Sequence, residues 1–307
     1  MFDYDAIIIG SGPGGLTAGI YLGRAKYRVL IIEKDAFGGQ LNWINLIENY
    51  PGFVEGLAGP QLAAEMLGQA MKYGVEVEQG EVTGIDSRPD QRVVTLSDGR
   101  TYTCGVIIVA GGSRPKNMGV PGEEALQGKG LIHCALCDGG QFAGKAVAVC
   151  GGGDAGISEA LYLSNLPARV VLIEAMPELT ATAVLQESLR ADERVEVRCG
   201  TRVVRIVGQE KVEALEVVDT QGGQRQTLAV DGVLVRVGIE PNTGYLKNTL
   251  PLDDQGLITV NSGFETEMKY VFAAGDIRNG SPRQVVTATG DGAAAAITAQ
   301  MLLKTLQ

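Results

Sequence analysis

Two cysteines separated by two residues are the part of the sequence best suited to chemistry. Cys134 and Cys137 can close a disulfide between them, or they can serve as two ligands of a metal ion. A structural zinc site needs about four ligands, but the chain has one histidine and its other three cysteines are scattered. The pair therefore predicts a redox-active disulfide and no metal site.

Two ionisable residues flank the cysteine pair. Asp138 directly follows the second cysteine, and a partly buried carboxyl at such a position keeps its proton to higher pH and can act as an acid. His133 directly precedes the first cysteine. For His133 both a packing role and a proton-transfer role stay open.

A glycine-rich loop near the start of the chain predicts a dinucleotide site. Gly10, Gly12 and Gly15 follow an apolar strand at 5–9 and precede a helix, and Glu33 ends the next strand. This order provides a tight turn, close backbone approach to a pyrophosphate and a helix N-terminus that faces the phosphates. We expect Glu33 to hydrogen-bond ribose hydroxyls.

The same unit occurs a second time. Gly151, Gly153 and Gly156 again link a strand to a helix, and Glu174 follows at the same spacing of 23 residues. Two copies predict two dinucleotide folds in one chain. A carboxylate at this position accepts from the 2′-hydroxyl of NAD and repels the 2′-phosphate of NADP, so Glu174 disfavours NADPH.

Short β-branched runs alternate with helical stretches, which predicts an α/β fold with parallel sheets. Turn-rich segments at 111–124 and 238–244 mark two crossings between domains. We therefore predict two Rossmann-like domains with the second inserted into the first. The discontinuous domain comprises residues 1–113 and 240–307, and the inserted domain, with the cysteine pair, comprises residues 114–239.

Charge and hydropathy exclude two classes of partner. The net charge is −10 and no run of Lys and Arg is present, which argues against nucleic acid. No apolar stretch approaches the roughly 20 residues of a membrane span, and the acidic N-terminus is unlike a signal peptide. We expect a cytoplasmic protein.

Taken together, the motifs resemble the low-molecular-weight thioredoxin reductases, and the likeness covers nearly the whole chain. The matching stretches are Gly10–Gly14, Gly38–Leu41, Glu48–Phe53, Cys134–Gly139, Gly238–Thr243, Ala274–Asp276 and Arg283–Gln284. The resemblance implies a homodimeric enzyme that holds FAD in the discontinuous domain and reduces a thioredoxin-like protein through the cysteine pair.

The resemblance also assigns residues to roles. Cys137 becomes the sulfur on the flavin side, Cys134 the sulfur that attacks the partner's disulfide, and Asp138 the catalytic acid. The residues expected to bind FAD are Gly10, Gly12, Pro13, Gly15, Glu33, Gly39, Gln40, Leu41, Asn49, Ala110, Gly111, Gly275, Asp276, Arg283 and Gln284.

One region departs from the family pattern. Members that use NADPH carry a His-Arg-Arg run and a further arginine after the second strand of the inserted domain, whereas Glu174–Thr180 here contains no arginine. Parts of this stretch resemble the NADH-using subunit of alkyl hydroperoxide reductase, and other branches of the family take electrons from ferredoxin. The donor is therefore predicted to be NADH or ferredoxin. In the second case the second dinucleotide site is vestigial, and it is empty or holds another adenine dinucleotide.

An alternative function belongs to a different class. A non-catalytic flavin-binding redox sensor could use the same motifs, with a structural or regulatory cysteine pair. The altered donor site supports this alternative. The presence of both the flavin loops and the Cys-x-x-Cys-Asp motif argues against it.

Overall fold

The chain forms two compact units. This computed structural model describes residues 2–88, 90–166 and 169–306, except for the side chain of Cys137. The first unit combines the chain up to Arg114 with the chain from Pro241 onward, and the second is Pro115–Glu240. Each junction lies one residue beyond the boundary expected from the sequence.

The first unit is built on a seven-stranded sheet. Its strands are β1 (Tyr4–Ile9), β2 (Val29–Glu33), β3 (Glu76–Gln79), β4 (Val82–Ser87), β5 (Arg92–Leu96), β6 (Thr101–Val109) and, after the second unit, β17 (Val271–Ala273). The helices of this unit are α1 (Pro13–Arg24), α2 (Gly59–Lys72) and α6 (Val285–Leu306), with 3-10 turns at Gly39–Trp43, Gly244–Leu246 and Gly275–Ile277. Because Ala6–Ile9 of β1 and the end of β6 are apolar, both faces of the sheet are buried there.

Strand β6 changes partner along its length. Its first half pairs antiparallel with β5, and its second half runs parallel to β1 and β17. The register aligns Ile9, Val109 and Ala273, so three parallel strands end at the same edge of the sheet. In open α/β sheets ligands bind at the carboxyl ends of the strands, which places the candidate site at this edge.

The second unit repeats the parallel arrangement and adds an antiparallel sheet. Its five-stranded parallel sheet has the order β11-β10-β9-β15-β8, and its three-stranded antiparallel sheet has the order β12-β13-β14. The strands are β8 (Leu131–Ile132), β9 (Ala146–Cys150), β10 (Arg169–Ile173), β11 (Val195–Arg198), β12 (Thr201–Gly208), β13 (Val212–Asp219), β14 (Arg225–Ala229) and β15 (Gly232–Val235). The helices are α3 (Ala135–Asp138), α4 (Asp154–Ser164) and α5 (Ala183–Ala191), with a 3-10 turn at Gly139–Phe142.

Each crossing between the units contains a short strand, β7 (Ser113–Pro115) on the way out and β16 (Ile239–Pro241) on the way back. Among the helices of the described residues, none combines the length and the apolar character that a membrane crossing needs.

Candidate active site

A cavity of about 720 Å³ opens at the edge of the first unit's sheet where β1, β6 and β17 end. It lies entirely within this unit, and its volume is that of a ligand site. Most of the residues predicted to bind FAD line it. They are Gly10, Gly12, Pro13, Glu33, Gly39, Gln40, Leu41, Ala110, Gly111, Gly275, Asp276, Arg283 and Gln284.

The three motif glycines of the first loop have separate tasks. Gly10 has a φ of +102°, and a Cβ there would lie 2.4 Å from the carbonyl oxygen of Ala110. Gly15 does not line the cavity; its Cβ would lie 2.0 Å from the carbonyl oxygen of Gly10, so it allows α1 to pack on the loop. Nothing lies within 4 Å of a Cβ on Gly12, which faces open space in the cavity wall.

Glu33 anchors this loop from the end of β2. Its Oε2 accepts the backbone N–H of Ser11 at 2.8 Å and the Ser11 hydroxyl at 2.7 Å, and its Oε1 accepts the N–H of Asp35 at 3.1 Å. Oε1 has one further lone pair for a ribose hydroxyl, and Glu33 lines the cavity. The carboxylate thus shapes the loop and faces the proposed ligand.

An ion pair below the cavity fixes the turn after β17. Asp291 of α6 accepts the backbone N–H of Gly275 at 3.0 Å and two N–H groups of Arg278, each at 2.7 Å. Gly275 has a φ of +79°, a conformation that favours glycine. The next residue, Asp276, lines the cavity, and burial raises the pKa of its carboxyl.

The N-terminus of α1 suits a polar ligand, and Tyr245 of the cavity lining carries a buried hydroxyl. The hydroxyl of Tyr245 is buried, has no hydrogen-bond partner in the described structure and belongs to a cavity-lining residue. The neutral Pro13 begins α1, and no acidic residue stands in the first turn of that helix, so its N-terminus suits a pyrophosphate. This N-terminus fits FAD.

Several lining residues were not found from the sequence. They are Lys34, Asn42, Trp43, Thr83 and Tyr245. Lys34 and Asn42 directly follow motif residues, whereas the other three lie outside the motifs, and only the fold brings these side chains to the cavity. Asn49, predicted as a cofactor residue, does not line the cavity but donates a hydrogen bond to Gln284 at 3.0 Å.

In the second unit, Cys134 lies immediately before α3 and is 5% exposed. It is disulfide-bonded, whereas Cys104, Cys150 and Cys199 are free. The side chain of Cys137 lies outside the described residues, so the pairing of Cys134 with Cys137 stays a prediction. Burial raises the pKa of the Cys150 thiol to about 12, which leaves that thiol inert at neutral pH.

The two residues that flank the pair differ in exposure. The sequence predicts a partly buried carboxyl at Asp138, but in the structure Asp138 is exposed. It is the last residue of α3, which is a single turn. His133 is half-buried, and burial together with the nearby Arg236 guanidinium lowers its pKa. Its Nε2 lies 3.0 Å from Nε2 of Gln127 and its Nδ1 is buried without a partner in the described structure.

The second glycine-rich loop copies the first, with more negative charge. Glu174 accepts the backbone N–H of Gly152 at 2.5 Å and that of Met176 at 2.8 Å, as Glu33 does in the first loop. Asp154 stands at the first position of α4, where α1 has proline. The Cδ2 of Leu179 lies only 2.7 Å from where a Cβ on Gly152 would be, so this side chain packs over the loop.

Known proteins similar to this chain belong to a family of dinucleotide-dependent disulfide oxidoreductases, as the two glycine-rich loops and the disulfide indicate. The model of the pyridine nucleotide-disulphide oxidoreductase family matches residues 4–292. The thioredoxin reductase of Bacillus subtilis is 38% identical over 305 residues, which is 99% of this chain and 96% of that protein. The chain therefore belongs to the pyridine nucleotide-disulphide oxidoreductase family.

Solved structures narrow the class. The thioredoxin reductase of Lactococcus lactis has a TM-score of 0.96 and 32% identity, and the match covers 99% of this chain and 100% of that chain. A ferredoxin-flavin thioredoxin reductase from Clostridium acetobutylicum has a TM-score of 0.53 and 30% identity, with 98% of each chain covered. The chain is an FAD-binding disulfide oxidoreductase of the low-molecular-weight thioredoxin reductase type, and the predicted fold class, cofactor and enzyme class are confirmed.

Proposed function

We propose that this enzyme reduces the disulfide of a thioredoxin-like protein through Cys134 and Cys137, with electrons from a donor other than NADPH. The observation that carries the proposal is the disulfide-bonded state of Cys134, which precedes α3, while the three cysteines elsewhere in the chain are free. The names of the relatives support a thioredoxin partner.

The proposed chemistry is thiol–disulfide exchange. FAD, once bound and reduced by the donor, would supply the electron pair that, together with two protons, converts the Cys134–Cys137 disulfide into two thiols. The Cys134 thiolate then attacks one sulfur of the substrate disulfide, a mixed disulfide forms, and the other substrate sulfur leaves as a thiolate. Cys137 attacks the Cys134 sulfur next, which re-forms the enzyme disulfide and releases the reduced substrate. Asp138 is the proposed proton donor to the leaving thiolate; its carboxyl is exposed in this structure, so it would hold a proton only once the docked substrate covers it.

The FAD site proposed for this reaction is the cavity of the first unit. The backbone of the first glycine-rich loop and the N-terminus of α1 would hold the pyrophosphate, and Glu33 the ribose. Asp276 would meet a further polar group of the cofactor. The homodimer and the cytoplasmic location belong to the same proposal.

The donor is proposed to be NADH or reduced ferredoxin. Three carboxylates, those of Asp154, Glu174 and Glu178, stand in or beside the second glycine-rich loop. Glu174 and Glu178 act together on Cys199, whose thiol pKa is raised by burial first and by these two carboxylates next. A 2′-phosphate would be repelled there. The relative named for ferredoxin supports the second donor.

Cysteine variants test the proposal. Cys134→Ser and Cys137→Ser are each expected to keep FAD but to lose reduction of a thioredoxin disulfide when dithionite-reduced enzyme is mixed with it anaerobically. Cys199→Ser is the matched control, since this cysteine is free, and it is expected to keep full turnover. If either of the first two variants retained the wild-type rate, the exchange role would fail. Dithionite-reduced wild-type protein that cannot pass electrons to any thioredoxin would instead favour the redox-sensor alternative.

A further inference from the structure

The residues on both sides of Cys134 are tied to one ion pair. Oε2 of Glu159 accepts the backbone N–H of Ala135 at 3.0 Å. The Nη2 of Arg236 donates to the backbone carbonyl of His133. Glu159 and Arg236 are in turn joined to each other, with Arg236 Nε donating to Glu159 Oε1 at 2.7 Å and Nη2 donating to the same oxygen.

This ion pair is mostly buried and firmly placed. The side chains of Arg236 and Glu159 are 10% and 14% exposed. Glu159 belongs to α4, and Arg236 directly follows β15, with its backbone N–H bound to the carbonyl of Cys150 at 2.7 Å. Two elements of the second unit therefore reach the segment that carries Cys134.

The charge of Glu159 follows from its partners. Burial raises the pKa of its carboxyl, and Arg236 together with the N–H of Ala135 opposes this shift. Each of these partners donates a hydrogen bond, and a protonated carboxyl would instead need an acceptor. The carboxylate is therefore the form that the geometry holds, and the pair is neutral as a whole.

We propose that the Glu159–Arg236 pair is a positioning device for the redox cysteine, which fixes the backbone on either side of Cys134 and balances the charge around its sulfur. Neither residue touches the reacting atoms in the proposed exchange. The inference rests on the proposed redox role of Cys134 and adds two residues to it.

Because the pair is neutral as a whole, removing either charge alone is expected to shift the thiol pKa of Cys134, and the two shifts have opposite directions. Removing Glu159's charge leaves a mostly buried guanidinium beside His133, which favours the Cys134 thiolate. Removing Arg236's charge leaves a carboxylate beside Ala135, which disfavours the thiolate. A purely structural contribution would instead disturb Cys134 in the same direction in both variants.

Three other titratable groups surround this segment. His133 is held towards its neutral form by burial and by Arg236. Glu123 is buried and its carboxylate accepts the N–H groups of Met118 at 2.8 Å and Gly119 at 2.7 Å. Asp138 is exposed. None of the three is substituted in the variants. Arg236→Met removes one cause of the lowered His133 pKa, but burial still lowers it, so His133 stays neutral where a thiol titrates and the differences between variants report the ion pair.

The experiment measures the thiol pKa of Cys134 from the pH dependence of its alkylation by iodoacetamide in a Cys137→Ser background, with peptide mapping to identify the modified cysteine. Glu159→Gln is expected to lower this pKa by about one unit and Arg236→Met to raise it by about one unit. The double variant, neutral again, is expected to return close to the parent value. Shifts of the same sign in both single variants, or no shift in either, would overturn the proposal.

Two controls keep the test decisive. Asp192→Asn removes another carboxylate of the second unit that is 10% exposed and ion-paired, here with Arg194, and it is expected to leave the Cys134 pKa unchanged. Arg236→Lys keeps the charge, so it is expected to stay near the parent value. Arg236→Met is left out of the test if it does not fold, as judged by FAD content and melting temperature. In that case a lower Cys134 pKa in Glu159→Gln, with an unchanged Cys134 pKa in Arg236→Lys, still supports the proposal. The absence of that contrast contradicts it.

This assay needs no turnover, so it separates the two claims. Loss of the predicted pKa pattern with normal thioredoxin reduction would contradict only the ion-pair inference. Retention of the pattern in an enzyme that turns over without Cys134 would contradict only the exchange mechanism.

Discussion

The carboxylate of Glu174 accepts the backbone N–H of Gly152 at 2.5 Å and so closes the second glycine-rich loop against the end of β10. Glu33 makes the same bond to the N–H of Ser11 in the first loop. The acid at this position is therefore a loop anchor in both units. The two loops differ in the first residue of the helix that follows, which is Pro13 in α1 and Asp154 in α4.

Asp154 is expected to weaken dinucleotide binding at the second loop. Its carboxylate stands at the N-terminus of α4, where a pyrophosphate would lie, and like charges repel there. Asp154→Asn removes the charge and keeps an oxygen to accept the N–H of Thr182. We expect it to tighten NADH binding at least about threefold in isothermal titration calorimetry. Unchanged or weaker binding would show that this carboxylate does not face the nucleotide.

Two glycine variants of the first loop are expected to fail in different ways. Gly15→Ala places a Cβ 2.0 Å from the Gly10 carbonyl oxygen, and it is expected to destabilise the protein by about 3 kcal/mol or more. Gly12→Ala meets no atom within 4 Å, so the apoprotein is expected to melt like the wild type. The added methyl group lies in the cavity wall and is expected to reduce FAD affinity.

Apoprotein melting curves and FAD titrations measure both variants. The account of the loop is wrong if Gly12→Ala destabilises the apoprotein as much as Gly15→Ala does.

Tyr245→Phe is expected to separate stability from binding. The buried hydroxyl has no partner in the described structure, and an unsatisfied buried donor costs about 1–3 kcal/mol. Its removal is therefore expected to stabilise the apoprotein. The hydroxyl is covered by protein and does not face the cavity, so the FAD affinity of the same variant is expected to stay within about twofold of the wild type. A variant with weaker binding and an equally weakened apoprotein would point to a packing role for the hydroxyl instead.

Asp276→Asn is expected to show a pH-dependent gain in stability. Burial raises the pKa of this carboxyl, so the folded state holds the proton more tightly than the unfolded state does. Stability is therefore lost as pH rises from the ordinary Asp range through the raised pKa. At pH 7 the apoprotein of the variant is expected to melt about 2 °C above the wild type.

This gap is expected to shrink as the pH falls towards the ordinary Asp pKa of about 4, where protonation removes the charge that burial disfavours. Melting temperatures of the two apoproteins between pH 4 and 8 measure it. A gap that widens at low pH would have the wrong sign for a raised pKa.

Much of the site could be predicted because it lies in local motifs. Gly10, Gly12 and Glu33 stand at fixed spacings around a strand and a helix, and their spacing alone indicates a loop that faces a dinucleotide. The insertion of one domain into the other could be read from two copies of this unit with turn-rich segments on either side. These features depend on backbone geometry that sequence encodes directly.

The remaining parts depend on tertiary contacts. Tyr245 reaches the cavity from a 3-10 turn after the second crossing, and no pattern of spacing marks it. Glu159 and Arg236 are 77 residues apart and meet only because α4 packs on β9 and β15 pairs with β9. The exposure of Asp138 follows from the single turn of α3, whose length the Cys-x-x-Cys motif does not set.

Anaerobic titration of the oxidised, FAD-loaded enzyme with NADPH tests the central claim about the donor most directly. Separate samples receive NADH, reduced ferredoxin or dithionite. The account predicts that NADPH leaves the flavin absorbance band unchanged, that NADH or reduced ferredoxin bleaches it, and that dithionite bleaches it in every case. Stoichiometric bleaching by NADPH at micromolar concentration would contradict the account, because a loop with three carboxylates, and with no arginine in Glu174–Thr180, would then have to hold a 2′-phosphate.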